Sequence, residues 1–237
     1  MTETRFPPLP MGNRLLARLP ADEYERLLPL TRLVTLEFRQ ILYEPQAPMD
    51  HLYFPNHGVI SMVLLMESGA QIEIATVGNE GVVGLSSMFG DGTSFVRCLV
   101  QVPGTALRLR TDVLRQEARR DGPLRQLLYL YQAAFLKQVA QSVACNGLHT
   151  VQQRCCRWLL STRDRVQADT FPLTHEFLAN MLGVRRSSVT EVLLPLREQG
   201  LIRNLRGKIA ILDPAGLESL TCECYRTVKQ EYDLLFA

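Results

Sequence analysis

Side chains that could read DNA lie close together between positions 185 and 191. Arginine can donate two hydrogen bonds to guanine, glutamate can accept one from cytosine, and serine or threonine can bond bases or phosphates. On a lone helix such residues would more often be ordinary solvent-exposed surface. Whether they contact DNA must therefore be judged from the secondary-structure elements around them. The candidate contacts are Arg185, Arg186, Ser187, Ser188, Thr190 and Glu191, with Thr174, Arg206 and Lys208 on the elements around them.

The charge distribution indicates where a polyanion would bind. The 237 residues carry 26 Lys and Arg against 24 Asp and Glu, a net charge of +2, which argues against a histone-like binder. Residues 154–208, however, hold ten basic and five acidic side chains, a surplus of +5 that leaves −3 for the rest. One basic part of the chain is therefore the candidate for contact with nucleic acid.

The elements around these residues have the order of a winged helix-turn-helix. A helix is predicted from Thr174, a turn at Gly183, a second helix from about Arg186 and two strands around 206–207. Apolar residues at helical spacing give each helix a buried face. Arg185 stands where an oxygen-bearing N-cap is preferred, and Pro195 should kink or end the second helix.

The N-terminal part, residues 1–120, is predicted to be an antiparallel β-roll. Between positions 33 and 109, short apolar or alternating runs are separated by turn residues at regular spacing. The loop 67–70 should be a hairpin in which Gly69 supplies a positive φ. The fold class is therefore α+β.

Residues 121–147 are predicted to form a long helix followed by a hinge at Asn146-Gly147. Its segment from Leu124 to about Asn146 lacks proline and glycine and carries two apolar stripes. One stripe, 124–135, should pack on the β-roll, and the other should pair with a second copy of the chain, the alternative being that both stripes pack inside one chain. The predicted dimer stripe is Leu128, Gln132, Leu136, Val139 and Val143.

Residues 148–237 should form the DNA-binding domain. An amphipathic helix is predicted at 151–166, and Asp213-Pro214 should start an added C-terminal helix whose packing stays open.

From about Arg32 to Leu212 the chain resembles the Crp/Fnr superfamily of bacterial transcription regulators. The specific element is LTHEFLANMLGVRRSSVTEVLLPLREQGLI, at 173–202. The resemblance implies base contacts by Arg186, Ser187 and Glu191, and phosphate contacts by Thr174 and Lys208. It further implies a homodimer on a near-palindromic DNA site, with RNA polymerase as a partner.

The resemblance places a candidate effector pocket at Gly84, Leu85, Ser86 and Val96, yet it disfavours cyclic AMP. Leu85 stands where the cyclic-AMP-binding branch has glutamate, and no Arg-Ser pair occurs near 93–96. In such a pocket a ribose hydroxyl would lack its hydrogen-bond acceptor and a phosphodiester would lack a paired cation. Likewise Val139 and Ala140 replace that branch's Thr-Ser pair. The effector stays unidentified.

The six cysteines predict no metal centre. Residues 1–90 contain none, which disfavours the iron-sulfur cluster of the oxygen-sensing branch. Cys155-Cys156 and the pair Cys222 and Cys224 could be metal or redox ligands, but they lack C-x2-C spacing, so small buried side chains are the expectation. The four histidines share no ligand spacing, and no catalytic residue is predicted.

Two other functions stay open. A cupin-like metal-dependent enzyme would share the barrel, but its facial metal cluster would have to start from His51 and His57, which Pro55 separates. A dimeric adaptor would use the winged helix for protein contact. Residues 1–20 lack the apolar core of a signal peptide, and the longest apolar run, 59–66, cannot span a bilayer, so a cytoplasmic protein without membrane contact is expected.

Overall fold

The computed structural model describes residues 12–237. The start of the predicted 1–120 domain, and with it most of the segment judged for targeting, lies outside the described residues. From residue 12 onward, none of the helices combines the length and hydropathy that crossing a bilayer requires.

The N-terminal unit is an antiparallel β-roll, as predicted. Helix α1 (Ala21–Leu27) precedes five strands that form one sheet in the order β1-β5-β3-β4, with β2 also paired to β5. The hairpin between β3 and β4 turns at Gly69, whose φ is +80°. The strands are β1 (Arg32–Leu36), β2 (Ile41–Tyr43), β3 (His51–Leu65), β4 (Gln71–Val77) and β5 (Arg97–Arg110).

Two strands are longer than the sequence predicts. Pro55 and Pro103-Gly104 are among the turn residues that lie between short apolar runs in the sequence, yet β3 and β5 run through them. The pairing register shifts at Pro55, His57 and Val59, so the interruptions become bulges within continuous strands. A Cβ at position 104 would collide with the His57 backbone, which explains glycine there.

The helical part begins with α2 (Thr111–Ala118) and α3 (Pro123–Leu148). Helix α4 (Val151–Val166) leads into α5 (His175–Leu182) and α6 (Arg186–Glu198). A second sheet of three antiparallel strands has the order β6-β8-β7, and two helices end the chain. These elements are β6 (Thr170–Pro172), β7 (Ile202–Leu205), β8 (Lys208–Ile211), α7 (Pro214–Ser219) and α8 (Cys224–Phe236).

Helix α3 buries one face inside its own chain and exposes another. The inner face joins the core beneath the roll, as predicted, and contains Leu124, Leu127, Tyr131 and Ala134. Leu128 was assigned to the dimer stripe, but it is only 3% exposed and packs in that same core, so this assignment is wrong. The two stripes lie side by side at this end of the helix, and Leu128 belongs to the inner one.

The hinge lies later than Asn146-Gly147. Helix α3 continues through Gly147 to Leu148, because one helical glycine costs only about 1 kcal/mol. The chain turns at His149 and Thr150, which we call the elbow. Thr150 and Gln153 form a reciprocal capping box that starts α4 at Val151.

The C-terminal tail contains two helices where the sequence predicted one. Asp213 caps α7 through the Gly216 N–H, as expected, but the helix ends at Ser219. After a turn, α8 runs back along α3, where Tyr232 donates a hydrogen bond of 2.7 Å to Gln138 Oε1. The tail is thereby packed on the long helix of its own chain.

The part of the chain that contains the helix-turn-helix packs directly on the β-roll. Val59, Val63 and Val102 of the roll belong to the same buried cluster as Trp158 of α4 and Phe177 of α5. The ring centroids of Phe38 and Phe177 are 6.4 Å apart. The two parts therefore share one apolar core beyond the connection through α3.

Polar contacts cross the same boundary. Arg165 of α4 and Glu80 of the roll form an ion pair of 2.7 Å in which both side chains are buried. Trp158 Nε1 donates to Glu73 Oε1 over 3.0 Å, while Glu73 Oε2 is buried without a hydrogen-bond partner among residues 12–237. Burial raises the pKa of the Glu73 carboxyl to about 7, and nearby Arg157 and Arg165 oppose the shift.

The raised pKa of Glu73 predicts a pH-dependent stability. The unfolded chain should release this proton at about pH 4.5, the ordinary pKa, whereas the folded protein keeps it up to about pH 7. The free energy of unfolding therefore falls as the pH rises through this range. Glu73→Gln should therefore stabilise the protein by about 3 kcal/mol at about pH 8 and by little at about pH 4.

Denaturant unfolding of the wild type, Glu73→Gln and the exposed control Glu67→Gln measures this difference. An equal effect of Glu73→Gln at both pH values would contradict the assignment.

Candidate DNA-binding surface and sensor cavity

Local capping fixes the first helix of the helix-turn-helix. Thr174 has extended backbone geometry, and its hydroxyl oxygen accepts the Phe177 N–H at 3.1 Å, as an N-cap does. Gly183 follows with φ at +63°, in the left-handed region that favours glycine. The turn between α5 and α6 is therefore set by these two residues.

Helix α6 presents its polar face to solvent. Arg185, Arg186, Ser187, Thr190 and Glu191 are exposed and Ser188 is half-buried, while Val189, Leu193 and Leu196 are buried. Arg185 makes no side-chain cap, as its type predicts. Pro195 does not end the helix, which continues to Glu198.

A groove between the helix-turn-helix and the wing brings predicted contacts together. It has a volume of about 300 Å³, and Thr174, Arg186 and Lys208 line it from three different elements. Sequence reasoning missed His175 and Asn204, which line it too. Arg206 lies outside the groove on the exposed wing turn.

His175 holds one predicted contact in place. Its Nδ1 lies 2.9 Å from Thr190 Oγ1, and the Thr190 hydroxyl is also 3.2 Å from the Arg186 carbonyl oxygen. Burial lowers the pKa of His175, and the charge of Arg186 lowers it further, which favours a neutral ring. His175 and Thr190 are 15 residues apart and lie on different helices, so helical periodicity could not predict their contact. The contact arises from the packing of α5 on α6.

The cations of this surface are available for a ligand. Six basic side chains between positions 185 and 208 are exposed, and within the described residues none lies in an ion pair. Only Glu191 and Glu198 lie among them in sequence. A surplus of unpaired positive charge therefore surrounds α6 and the wing: Arg185, Arg186, Arg197, Arg203, Arg206 and Lys208.

A second cavity, of about 160 Å³, lies between the β-roll and α3. Gly84, Leu85 and Ser86 line it, so three of the four predicted pocket residues meet there. Val96 instead packs in the interior of the roll, and its neighbour Phe95 lines the cavity. The lining contains no charged side chain: Met62, Ile74, Val82, Gly84, Leu85, Ser86, Phe95, Tyr131, Gln132, Phe135, Leu136 and Val139.

The cavity adjoins the exposed face of α3. Gln132, Leu136 and Val139 were predicted as dimer residues, and all three also line the cavity. Leu136 and Val143 are 63% and 66% exposed within the chain. Any second copy packed on this face would therefore sit beside whatever fills the cavity.

Three cysteines and one histidine meet at the elbow, which the sequence reasoning missed. The ligand atoms of Cys145, His149, Cys222 and Cys224 all lie within 4.8 Å of one another. His149, the residue after the last residue of α3, follows Cys145 by four positions, and the tail adds the other two, so the group joins a histidine to cysteines rather than to other histidines. His51 and His57 lie on β3 and join no such group in the part of the chain that the structure describes.

Two family models match the chain. A cyclic nucleotide-binding domain matches residues 33–121, and a Crp-like helix-turn-helix domain matches residues 153–220. Their boundaries bracket α3, which lies between the two matched segments.

Known proteins with similar sequences span most of the chain. A global nitrogen regulator of Nostoc sp. is 22% identical over 77% of this chain and 86% of its own length. The transcriptional regulatory protein btr of Bordetella pertussis is 26% identical, with coverages of 85% and 86%. The fold resembles the crystal structure of a putative Crp/Fnr-family transcriptional regulator from Eubacterium rectale, with a TM-score of 0.69, 18% identity and coverages of 88% and 98%.

Proposed function

Because the chain is a transcription regulator of the Crp/Fnr superfamily, we propose that it binds a near-palindromic DNA site as a homodimer controlled by a small molecule in the β-roll. The observation that carries this proposal is the groove that joins Thr174, Arg186 and Lys208 amid six exposed cations. Glu176 adds one exposed carboxylate to the lining, so the positive charge comes from the cations in and around the groove. A concave surface with unpaired cations suits a phosphate backbone with an exposed base edge beside it.

Helix α6 is the reading element of the proposal. Arg186, Ser187 and Glu191 occupy its N-terminal, exposed face, from which side chains reach base edges in the major groove. Arg185 and Ser188 are assigned to phosphate contacts. They lie at the start of α6, where no side chain caps the free backbone N–H groups, so a phosphate can accept hydrogen bonds there. In the wing, Arg206 and Lys208 would contact phosphates of the DNA backbone next to the major groove.

The hydroxyl groups of Thr174 and Thr190 already make hydrogen bonds within the protein, which limits how they can contact DNA. Thr174 uses its oxygen to cap α5 and keeps only its O–H to donate to a phosphate. Thr190 is held by His175, which orients the hydroxyl at the centre of the α6 surface. Both residues therefore position the reading helix in addition to any contact with DNA.

The exposed face of α3 is assigned to the dimer contact. Tyr129, Ala133, Leu136, Ala140 and Val143 are exposed at alternating spacings of four and three, the pattern of a coiled-coil seam. This seam replaces Leu128 with Tyr129 and retains the predicted Leu136 and Val143, with Gln132 and Val139 at its edge. A two-fold axis along α3 would place the two copies of α6 about 34 Å apart, one turn of DNA.

The effector is proposed to be uncharged and largely apolar. A cyclic nucleotide carries a phosphodiester that needs a paired cation when buried, and the cavity between the roll and α3 offers none. Gln132 and Ser86 are the available hydrogen-bonding side chains. Because α3 forms one wall, occupation of the cavity would act directly on the dimer seam.

The remaining partners follow from DNA binding itself. We expect contact with RNA polymerase when the site lies beside a promoter, and residence in the compartment that holds the chromosome. The relatives and the fold are those of transcription regulators, so no catalytic residue is assigned.

Substitutions at Arg186 and Lys208 should have different effects on DNA affinity. Arg186→Ala should weaken the preferred site by about 1–3 kcal/mol and relax the preference at one base pair, since it removes a bidentate base contact. Lys208→Ala should weaken all sequences alike and lower the salt dependence by about one charge. Fluorescence anisotropy with the preferred site and single-base variants measures both.

Arg119→Ala is the matched control, because it removes one exposed positive charge from α2's C-terminal end. Equal losses for Arg186→Ala on all sequences would contradict its role as a base reader. Dimerisation without any DNA binding in the wild type would favour the adaptor function instead.

Charge placed on the α3 seam should separate the dimer. Leu136→Asp combined with Val143→Asp buries two carboxylates per copy in an apolar contact, at a cost of several kcal/mol. Sedimentation velocity should show a dimer for the wild type and a folded monomer for the variant. Leu234→Asp on α8, which is 71% exposed, is the control that should stay dimeric. A dimer in both variants would contradict the seam.

A further inference from the structure

The sulfur cluster at the elbow is built from two distant parts of the chain. Cys145 lies on the last turn of α3, and His149 caps that turn, where its backbone N–H donates to the Cys145 carbonyl oxygen. Cys222 comes from the turn after α7, and Cys224 is the first residue of α8. The break between α7 and α8 allows both tail cysteines to face the end of α3.

The spacing of the donor atoms fits a single tetrahedral ion. Zn–S bonds of about 2.3 Å and Zn–N bonds of about 2.0–2.1 Å give tetrahedral edges of about 3.8 Å between sulfurs and about 3.5 Å between sulfur and nitrogen. Cys145 Sγ and Cys222 Sγ are 3.6 Å apart, and Cys224 Sγ is 3.5 Å from His149 Nδ1. These two of the six donor–donor distances match the edges of a site with three thiolates and one imidazole, and all six are within 4.8 Å.

The neighbours of the donors orient them as metal ligands are usually oriented. Glu223 Oε2 lies 3.3 Å from His149 Nε2, and His149 Nδ1 lies 3.5 Å from Cys224 Sγ. The tautomer with its proton on Nε2 would donate to this carboxylate and direct the Nδ1 lone pair toward the cysteines. Gln141 Nε2 donates to Cys224 Sγ over 3.0 Å, which stabilises negative charge on the sulfur. An outer carboxylate on the free nitrogen of the histidine is a recurrent feature of zinc sites.

Charge also favours a metal over other fates of these thiols. Positive Arg157 lies near Cys145, where it offsets the surplus negative charge that three thiolates place on one divalent ion. A disulfide would use only two of the thiols. A polynuclear iron-sulfur cluster needs more space between its ligands than donor atoms within 4.8 Å allow.

We propose that Cys145, His149, Cys222 and Cys224 form a mononuclear Zn²⁺ site. Binding releases the three thiol protons to solvent and leaves the metal with three thiolates and neutral imidazole. The ion would tie the last turn of α3 to the start of α8, directly beside the elbow where the long helix passes into the DNA-binding domain. Metal occupancy would therefore set the stiffness of this connection.

Metal binding by the full-length, reduced protein tests the site without any need for DNA. Co²⁺ titration of the wild type should give one equivalent per chain, with the intense visible absorption of tetrahedral cobalt and a thiolate charge-transfer band, and Zn²⁺ should displace it. Glu223→Gln should bind Zn²⁺ about 10–100-fold more weakly in competition with a chromophoric chelator, since it removes the outer carboxylate.

The matched pair of variants is Cys222→Ala with Cys224→Ala, against Cys98→Ala. Cys98 is equally buried but lies in the core of the β-roll, so it should retain full binding, whereas the double variant should lose the tetrahedral spectrum. Circular dichroism checks that each variant is folded. The proposal is overturned if the wild type gives no tetrahedral cobalt spectrum, or forms only a Cys145–Cys222 disulfide, or if Glu223→Gln binds Zn²⁺ as tightly as the wild type.

Discussion

The two opposite apolar faces of α3 govern this structure. One face is satisfied within the chain by the core under the β-roll and by α8, while the other leaves Leu136 and Val143 in solvent. Apolar side chains at heptad spacing on an exposed helix gain most from a second copy of the same helix. The cavity, the elbow and the reading helix are all positioned relative to this one element.

Signals could reach α6 through two connections from the roll. The first is α3 itself, which lines the cavity and continues to the elbow. The second is the boundary where Trp158 and Phe177 enter the core with roll valines, reinforced by the buried ion pair of Arg165 and Glu80. Removing one partner of a buried pair is strongly destabilising, so this boundary favours one arrangement of the two parts. A conformational change that starts at the cavity must therefore either disrupt this packing or be transmitted by it.

The sequence predicted those features that depend on local spacing. The helix start at Thr174, the Gly183 turn, the exposed face of α6 and the inner stripe of α3 all follow from turn residues and periodicity. Features set by packing were missed. Leu128 lies where two stripes overlap, and only the position of the roll decides which one is buried. Cys145 and Cys222 are 77 residues apart and meet only because α8 returns along α3. The Thr150 capping box was the available local signal for the elbow.

Selection of DNA from a random library by the purified wild-type protein tests the central claim most directly. Two copies of α6 related by a two-fold axis predict an enriched sequence with two inverted half-sites, their centres about 10–10.5 base pairs apart. Enrichment of a single unpaired half-site, or of no sequence at all, would contradict a dimer that reads DNA through α6.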